Sequence, residues 1–275
     1  MGQFRTMANI SEQKVTVLCD FTESMNGLIL HGIFIASFLD KELCLFSLVP
    51  SKENKTEIQE KLGELAGQVK ARVKKMVVST LVLKGKLEQN AEKLADKYDS
   101  VLLILNKSKL QEKMKSLGES TIPYLFAGGK TTDLITYKRV ILPVDFRKEM
   151  KETSLWASYL GRFNNALVQA VGATEKDTDN EKKTKKNLLF IRKFLNKMKV
   201  NYTLEESKAN SWNIQFEALR MAQTGKGDVL IILGSKHITP IDLLIGLPEK
   251  KIIKRANQIP VLCINPSKDM NILCD

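Results

Sequence analysis

The stretches Asp228-Val-Leu-Ile-Ile-Leu-Gly-Ser235 and Ile259-Pro-Val-Leu-Cys-Ile-Asn-Pro266 decide the fold of this chain. Each contains a short apolar run bounded by turn residues, which is typical of a strand buried on both faces of a parallel sheet. Between them, Pro248 opens a segment whose apolar residues fall at helical spacing, and proline suits the first turn of a helix. This order predicts a βαβ unit, and open α/β sheets bind ligands outside the carboxyl ends of their strands.

The same pattern occurs twice along the chain. The apolar segment 139–146 ends in Asp-Phe, as does segment 14–21, and an Ile-Pro pair opens the last predicted strand of each half, at 122 and at 259. Every predicted element recurs in the same order at an offset of about 120 to 137 residues. We interpret this as a tandem duplication of one β-α-β-α-β-α-β-α-β unit.

Alternating strands and helices predict an α/β fold of two tandem doubly wound parallel five-stranded sandwiches. Residues 1–134 and 138–275 are the two predicted domains, with a polar linker between them. One sheet of eight to ten strands would leave the duplicated positions unexplained, so we expect two separate sandwiches. We also expect the fifth strands, 122–126 and 259–264, to lie near each other, because each would otherwise be an exposed edge.

Composition excludes several classes of protein. Of the 275 residues, 43% are hydrophobic and 27% charged, which argues against disorder. The four cysteines are far apart and form no C-x-x-C pair, so we expect reduced thiols and a cytoplasmic location. The first ten residues lack a signal-peptide core, and the apolar segment 27–39 is too short to span a bilayer. We therefore expect no membrane segment.

The net charge of +12 comes from lysines spread over most predicted helices, with acids interleaved. A solvated surface explains this pattern better than a nucleic-acid or anionic-membrane surface, which requires clustering. The densest cluster is 182–186, and we place it at the end of a flexible loop because cations oppose the dipole at the start of a helix. Any nucleic-acid binding should be weak and electrostatic, so no nucleic-acid partner is expected.

The second half carries motifs that resemble the universal stress protein family, in its tandem two-domain form. These motifs are segment 140–146 (Val-Ile-Leu-Pro-Val-Asp-Phe), segment 154–157, segment 228–235 and segment 246–264. The resemblance is weaker in residues 14–127. It implies a sandwich with strand order 3-2-1-4-5 and dimerisation through fifth strands, hence a homodimer or an intramolecular pseudo-dimer.

One branch of that family binds ATP, through a Gly-x2-Gly-x9-Gly-[Ser/Thr] loop whose backbone N–H groups approach the phosphates. An Asp after the first strand and a Val after the second hold the nucleoside. The resemblance thus implies these cofactor-binding residues: Asp145, Val171, Gly234, Ser235 and Gly246. Two positions depart from the pattern, since His237 replaces the second glycine and Leu247 the hydroxyl residue, and the loop is one residue short.

Other candidate residues have simpler interpretations. In the first half only Asp20 and Val49 match the nucleotide pattern, and Asp20, like Asp145, has the alternative role of a strand-end cap. His237 is interpreted as polar surface, and Trp156 and Trp212 as core residues because of their helical spacing. No Ser-His-Asp set, metal quartet or paired-carboxylate cleft can be assembled, so we expect no catalytic or metal-binding residues and no enzyme.

Two hypotheses remain open. The first is a non-catalytic stress-response regulatory protein with degenerate nucleotide sites, which acts through contacts with protein partners that the sequence does not identify. The alternative is an adenine-nucleotide (ATP or AMP) binding module that uses the C-terminal domain only. The altered loop favours the first, so we expect no cofactor and weak or absent ATP binding.

Overall fold

The computed structural model describes residues 13–50, 55–108, 110–118, 120–128, 135–235 and 247–266. Strands and helices alternate in both halves. The first half contains β1 (Lys14–Leu18), α1 (Met25–Leu39), β2 (Glu42–Val49), α2 (Lys55–Arg72), β3 (Val78–Lys84), α3 (Leu87–Asp96), β4 (Ser100–Asn106), α4 (Leu110–Gly118) and β5 (Tyr124–Ala127). The second contains β6 (Arg139–Val144), α5 (Met150–Asn164), β7 (Leu167–Gly172), α6 (Thr178–Lys197), β8 (Tyr202–Glu206), α7 (Ile214–Met221), β9 (Val229–Leu233), α8 (Pro248–Arg255) and β10 (Val261–Ile264). A π-helical turn, Ala222–Lys226, extends α7.

The strands form one ten-stranded sheet in the order β3-β2-β1-β4-β5-β10-β9-β6-β7-β8. Within each half the order is 3-2-1-4-5 and all pairings are parallel. The predicted fold class and strand order are therefore confirmed.

The two halves join through their fifth strands. β10 pairs with β5 in antiparallel register, with Val261 opposite Phe126 and Cys263 opposite Tyr124. The proximity of the fifth strands is confirmed, but the expectation of two separate sandwiches is wrong, because this pairing fuses them into one sheet. Pairing satisfies the backbone N–H and C=O groups that two free edges would expose.

Helices cover both faces of the sheet, and each layer runs across both halves. The helices α1, α2, α5 and α6 pack on one face, and α3, α4, α7 and α8 pack on the other. Every residue of β4, β5, β9 and β10 is buried, so the seam between the halves lies at the centre of the core. Exclusion of water from both faces explains why these four strands read as continuous apolar runs.

Two sequence-based expectations are wrong in local detail. The lysine cluster 182–186 lies inside α6, whose start at Thr178 is capped by the Asp177 carboxylate, which accepts the Asn180 N–H at 2.9 Å. This cap and the acids of the first turn offset the unfavourable placement of cations. Trp156 is buried, but Trp212 precedes α7 and is 75% exposed.

Cys19, Cys44 and Cys263 are buried free thiols, as expected for reduced cysteines. Among the helices described, none is long and apolar enough to cross a membrane.

Candidate nucleotide-site edge

Four of the predicted site residues lie together at the carboxyl ends of β6, β7 and β9, which form one edge of the sheet running across the strands. β6 lies between β7 and β9, so Asp145, which follows β6, is flanked by Val171 on one side and by Gly234 and Ser235 on the other. Gly246 and His237 lie outside the described residues. This edge is where a nucleotide would be held in the family that the sequence resembles.

Asp145 is buried and its carboxylate is fully engaged by Arg147. The Arg147 backbone N–H donates to Oδ1 at 2.8 Å, while Nε and Nη2 donate to Oδ2 at 2.9 and 2.6 Å. Asn187 of α6 fixes the same turn by donating to the backbone carbonyls of Asp145 and Arg147, at 2.7 and 2.8 Å. This is the geometry of a strand-end cap, closed by two charge-assisted hydrogen bonds from the guanidinium to the same carboxylate oxygen.

Both hydrogen-bond donors of Ser235, its backbone N–H and its hydroxyl, bond to a carboxylate of the same chain. Its backbone N–H lies 3.0 Å from Oε1 of Glu249 and its hydroxyl lies 3.1 Å from Oε2. Glu249 is in the first turn of α8 and is only 2% exposed. The positive end of a helix dipole stabilises an anion there, and in this chain that anion is Glu249.

Gly234 and Leu247 serve the core rather than a ligand. A Cβ at Gly234 would lie 3.3 Å from Sγ of Cys263 and 3.4 Å from the carbonyl oxygen of Ile264, so a glycine lets β9 end close against β10. The Leu247 side chain is buried and packs in the apolar layer with Ile252 and Ile253. The Gly234 N–H donates to the Ile264 carbonyl at 2.9 Å.

Two carboxylates of this edge already have partners within the chain. Glu249, at the start of α8, accepts both donors of Ser235, and a second anion beside it would be repelled. The Asp145 carboxylate is paired with the Arg147 guanidinium.

The equivalent edge of the first half is arranged differently. Oδ1 of Asp20 accepts the Thr22 hydroxyl at 2.6 Å and the Thr22 N–H at 3.2 Å, and Oδ2 accepts Nδ2 of Asn106 at 3.0 Å. Asn106 ends β4, and its carbonyl accepts the Lys113 ammonium at 2.6 Å. Within the part of the chain that the structure describes, the Asp20 carboxylate therefore has neutral hydrogen-bond partners and no ion pair.

A cleft of about 510 Å³ opens beside Asp20, within the range of small-molecule sites. Its apolar walls come from Leu18, Leu48, Ile58 and Leu87, and its polar groups include Asp20, Thr22, Ser47, Ser108 and Lys113. Sequence reasoning identified only Asp20 among these. The polar residue Asn106 at the end of a fully buried strand was the one signal that could have drawn attention to this network.

Among the described residues, no group of three or more His, Cys, Asp and Glu side chains could hold a metal ion.

Solved structures share this fold over most of the chain. A universal stress protein from Archaeoglobus fulgidus is 12% identical, with a TM-score of 0.68 over 95% of this chain and 100% of the other. A protein of unknown function from Pseudomonas aeruginosa is 17% identical, with a TM-score of 0.60 over 94% of each chain. A candidate universal stress protein from the same species is 18% identical, with a TM-score of 0.58 over 92% of each chain.

No family model and no curated protein matches the sequence. At these identities the structural likeness concerns the fold, and at that level the resemblance to tandem universal stress proteins is confirmed.

Proposed function

We propose that this chain is a non-catalytic regulatory protein of the universal stress protein type, which acts in stress responses through protein contacts and without ATP. The observation that carries the proposal is the Glu249 carboxylate on Ser235, in the place where a phosphate would bind. The Glu249 carboxylate satisfies both Ser235 donors without a bound phosphate. The three buried free thiols support a reducing, cytoplasmic compartment.

Two hydrogen-bond donors of Ser235 are not available to a phosphate. The N–H and hydroxyl of Ser235 are both committed to Glu249, and each charge-assisted hydrogen bond is worth about 1.5–3 kcal/mol. Losing two such bonds to phosphate, about 3–6 kcal/mol, would move a micromolar site to millimolar affinity or beyond. Repulsion between Glu249 and the phosphates adds to this loss.

Calorimetric titration with Mg-ATP tests the proposal. The wild-type protein should give no binding heat at micromolar ATP, and Glu249→Gln should bind ATP more tightly than wild type because it removes the repulsion. Glu217→Gln, which removes a partly exposed carboxylate that pairs with Arg220 on α7, is the control and should leave ATP binding unchanged. Micromolar ATP affinity in the wild-type protein would refute the proposal.

The first-half cleft favours a second candidate function, the binding of an adenosine-sized ligand next to Asp20. This differs from the alternative hypothesis of a site in the C-terminal domain, because the supporting observations are the 510 Å³ cleft and a carboxylate without a bound cation. Equilibrium dialysis with adenosine and AMP tests it. Binding that Asp20→Asn abolishes and Asp145→Asn leaves intact would support this candidate, and the reverse pattern would return the site to the second half.

A further inference from the structure

The ten-stranded sheet ends at β8, whose residues 203–206 are exposed. In the pairing with β7, the Asn201 carbonyl accepts the Val168 N–H and the Ser207 N–H donates to the Gly172 carbonyl. In a parallel ladder a residue points both its N–H and its C=O to the same side, and the side alternates along the strand. Tyr202, Leu204 and Glu206 therefore direct their backbone groups to the free edge, ready for another strand.

A groove of about 340 Å³ lies beside this edge, between α6 and β8. Its apolar part includes Leu189 and Leu204, which are 41% and 37% exposed. On the helix side Leu189 is flanked by Lys185 and Arg192, which share its face at helical spacing. The strand side of the groove is lined by Glu205 and Glu206, and the helix side by the two cations, of which Lys185 pairs with Glu181 and Arg192 has no ion pair within the described residues. The groove thus offers an apolar contact beside a cationic helix, directly above a free strand edge.

The exposed face of α6 is strongly cationic. From position 182 to the end of the helix, its exposed residues are Lys182, Lys183, Lys185, Lys186, Leu189, Arg192, Lys193, Asn196 and Lys197. Lys182 and Lys185 pair with acids of the first turn, and the described contacts give no ion pair to the other five cations. Like charges at such spacing destabilise a helix, so an acidic partner would relieve a cost that the free protein bears.

We propose that the free edge of β8 and the α6–β8 groove bind an extended acidic segment of a partner protein. The segment adds to β8 as an eleventh strand, sets one aliphatic side chain against Leu189 and Leu204, and directs carboxylates to Lys185 and Arg192. Seven helical residues separate these cations by about 10 Å, which an extended segment spans in about three residues. This inference rests on the proposed function, whose protein contacts it localises.

Other occupants fit the surface less well. A second copy of this chain on the same edge would bring two cationic α6 faces together. A membrane would need an exposed apolar face, but the apolar face of α6 is buried on the sheet. A nucleic acid would use the cations and leave the free backbone groups and the apolar groove unpaired.

Selection of a random nonapeptide library on phage against the full-length protein tests the proposal. Enriched peptides should contain Asp or Glu on both sides of one Leu, Ile or Val. Synthetic peptides of that consensus should slow hydrogen exchange at the Leu204 and Glu206 amides. Arg192→Glu should weaken their binding about tenfold or more, whereas Lys254→Glu, the same charge change on an exposed lysine of α8, should have little effect.

A second pair of variants tests strand addition itself. Glu206→Pro removes an outward N–H without touching the ladder to β7 and should abolish binding, while Glu206→Ala should not. The proposal is overturned if no acidic consensus is enriched, if Arg192→Glu leaves binding unchanged, or if a DNA duplex or self-association depends on Arg192 instead. Micromolar ATP binding would count against the proposed function. A negative result in the peptide experiments would leave the proposed function standing and would show that the protein contacts use another surface.

Discussion

The hydroxyl of Tyr137 lies 2.5 Å from Nδ1 of His31, and both side chains are buried. Tyr137 belongs to the segment that joins the halves, and His31 belongs to α1 of the first half. The Tyr137 carbonyl accepts a hydrogen bond from Nδ2 of Asn164, from α5 of the second half, at 2.8 Å.

Burial lowers the pKa of His31 to about 4, with the Lys107 charge as a further cause, and burial raises the pKa of Tyr137. The tyrosine therefore donates to a neutral imidazole, and Tyr137 ties the joining segment to the first half through His31 and to the second half through Asn164.

This buried histidine predicts loss of stability in mild acid. The folded chain binds the His31 proton with a pKa of about 4 and the unfolded chain with the ordinary histidine pKa of 6.5, so between these values the unfolded state holds more protons. The free energy of unfolding should fall by about 2 kcal/mol from pH 7 to pH 5 through His31 alone. Urea unfolding of wild type and His31→Gln at both pH values measures this. Equal pH dependence of the two proteins would contradict it.

Replacement by alanine should change the stability of the fold in opposite directions at two glycines that both lie in helices. A Cβ at Gly161 in α5 would clash with Cγ1 of Val200, whereas a Cβ at Gly63 in α2 would meet nothing within 4 Å. Gly161→Ala should destabilise the fold by about 1–3 kcal/mol through overpacking, and Gly63→Ala should stabilise it by about 1 kcal/mol through helix propensity.

Urea unfolding measures both changes. Adding Val200→Ala should restore part of the stability lost in Gly161→Ala, because it removes the methyl groups in conflict. If the two glycine variants change stability by the same amount, the close packing of α5 on Val200 is wrong.

The sequence predicted parallel strands covered by helices because buried parallel strands read as apolar runs, and alternation with helices restricts their connections. The strand order was predicted from the resemblance to the universal stress protein family. The sequence could not predict the single sheet. An apolar run such as β5 shows that a strand is buried, but not whether it pairs with β10 or merely packs near it, because that pairing joins strands more than a hundred residues apart in sequence.

The candidate site was only partly readable for a similar reason. Asp145 was identified as a candidate from the family resemblance and from its position after a buried strand, yet its role depends on Arg147 turning back onto it. Glu249 showed no sequence signal, since a glutamate in the first turn of a helix is ordinary. Its contact with Ser235 depends on how the β9–α8 connection closes, which no local pattern encodes. Trp212 was misassigned because apolar spacing indicates burial only if the helix includes that residue.

The seam between β5 and β10 should be among the most stable parts of the molecule. If the halves form one sheet, the amides of Tyr124–Ala127 and Val261–Ile264 should exchange with solvent as slowly as those of β4 and β9, because only global opening exposes them. β8, the exposed edge strand, is the internal reference and should exchange much faster. Hydrogen exchange of the full chain, followed by mass spectrometry, measures all these segments in one experiment.

Lys107 provides the variant that tests whether the seam acts as a unit. Its ammonium crosses from the first half to donate to the carbonyls of Asn257 and Ile259, at 2.7 and 3.0 Å. Lys107→Met keeps the stem but leaves both carbonyls without this donor, so exchange in β5 and β10 should accelerate together. Lys254→Met, on the exposed face of α8, should change neither strand. Fast exchange of β5 and β10 in the wild type, at the rate of β8, would show that the two halves separate at the seam in solution.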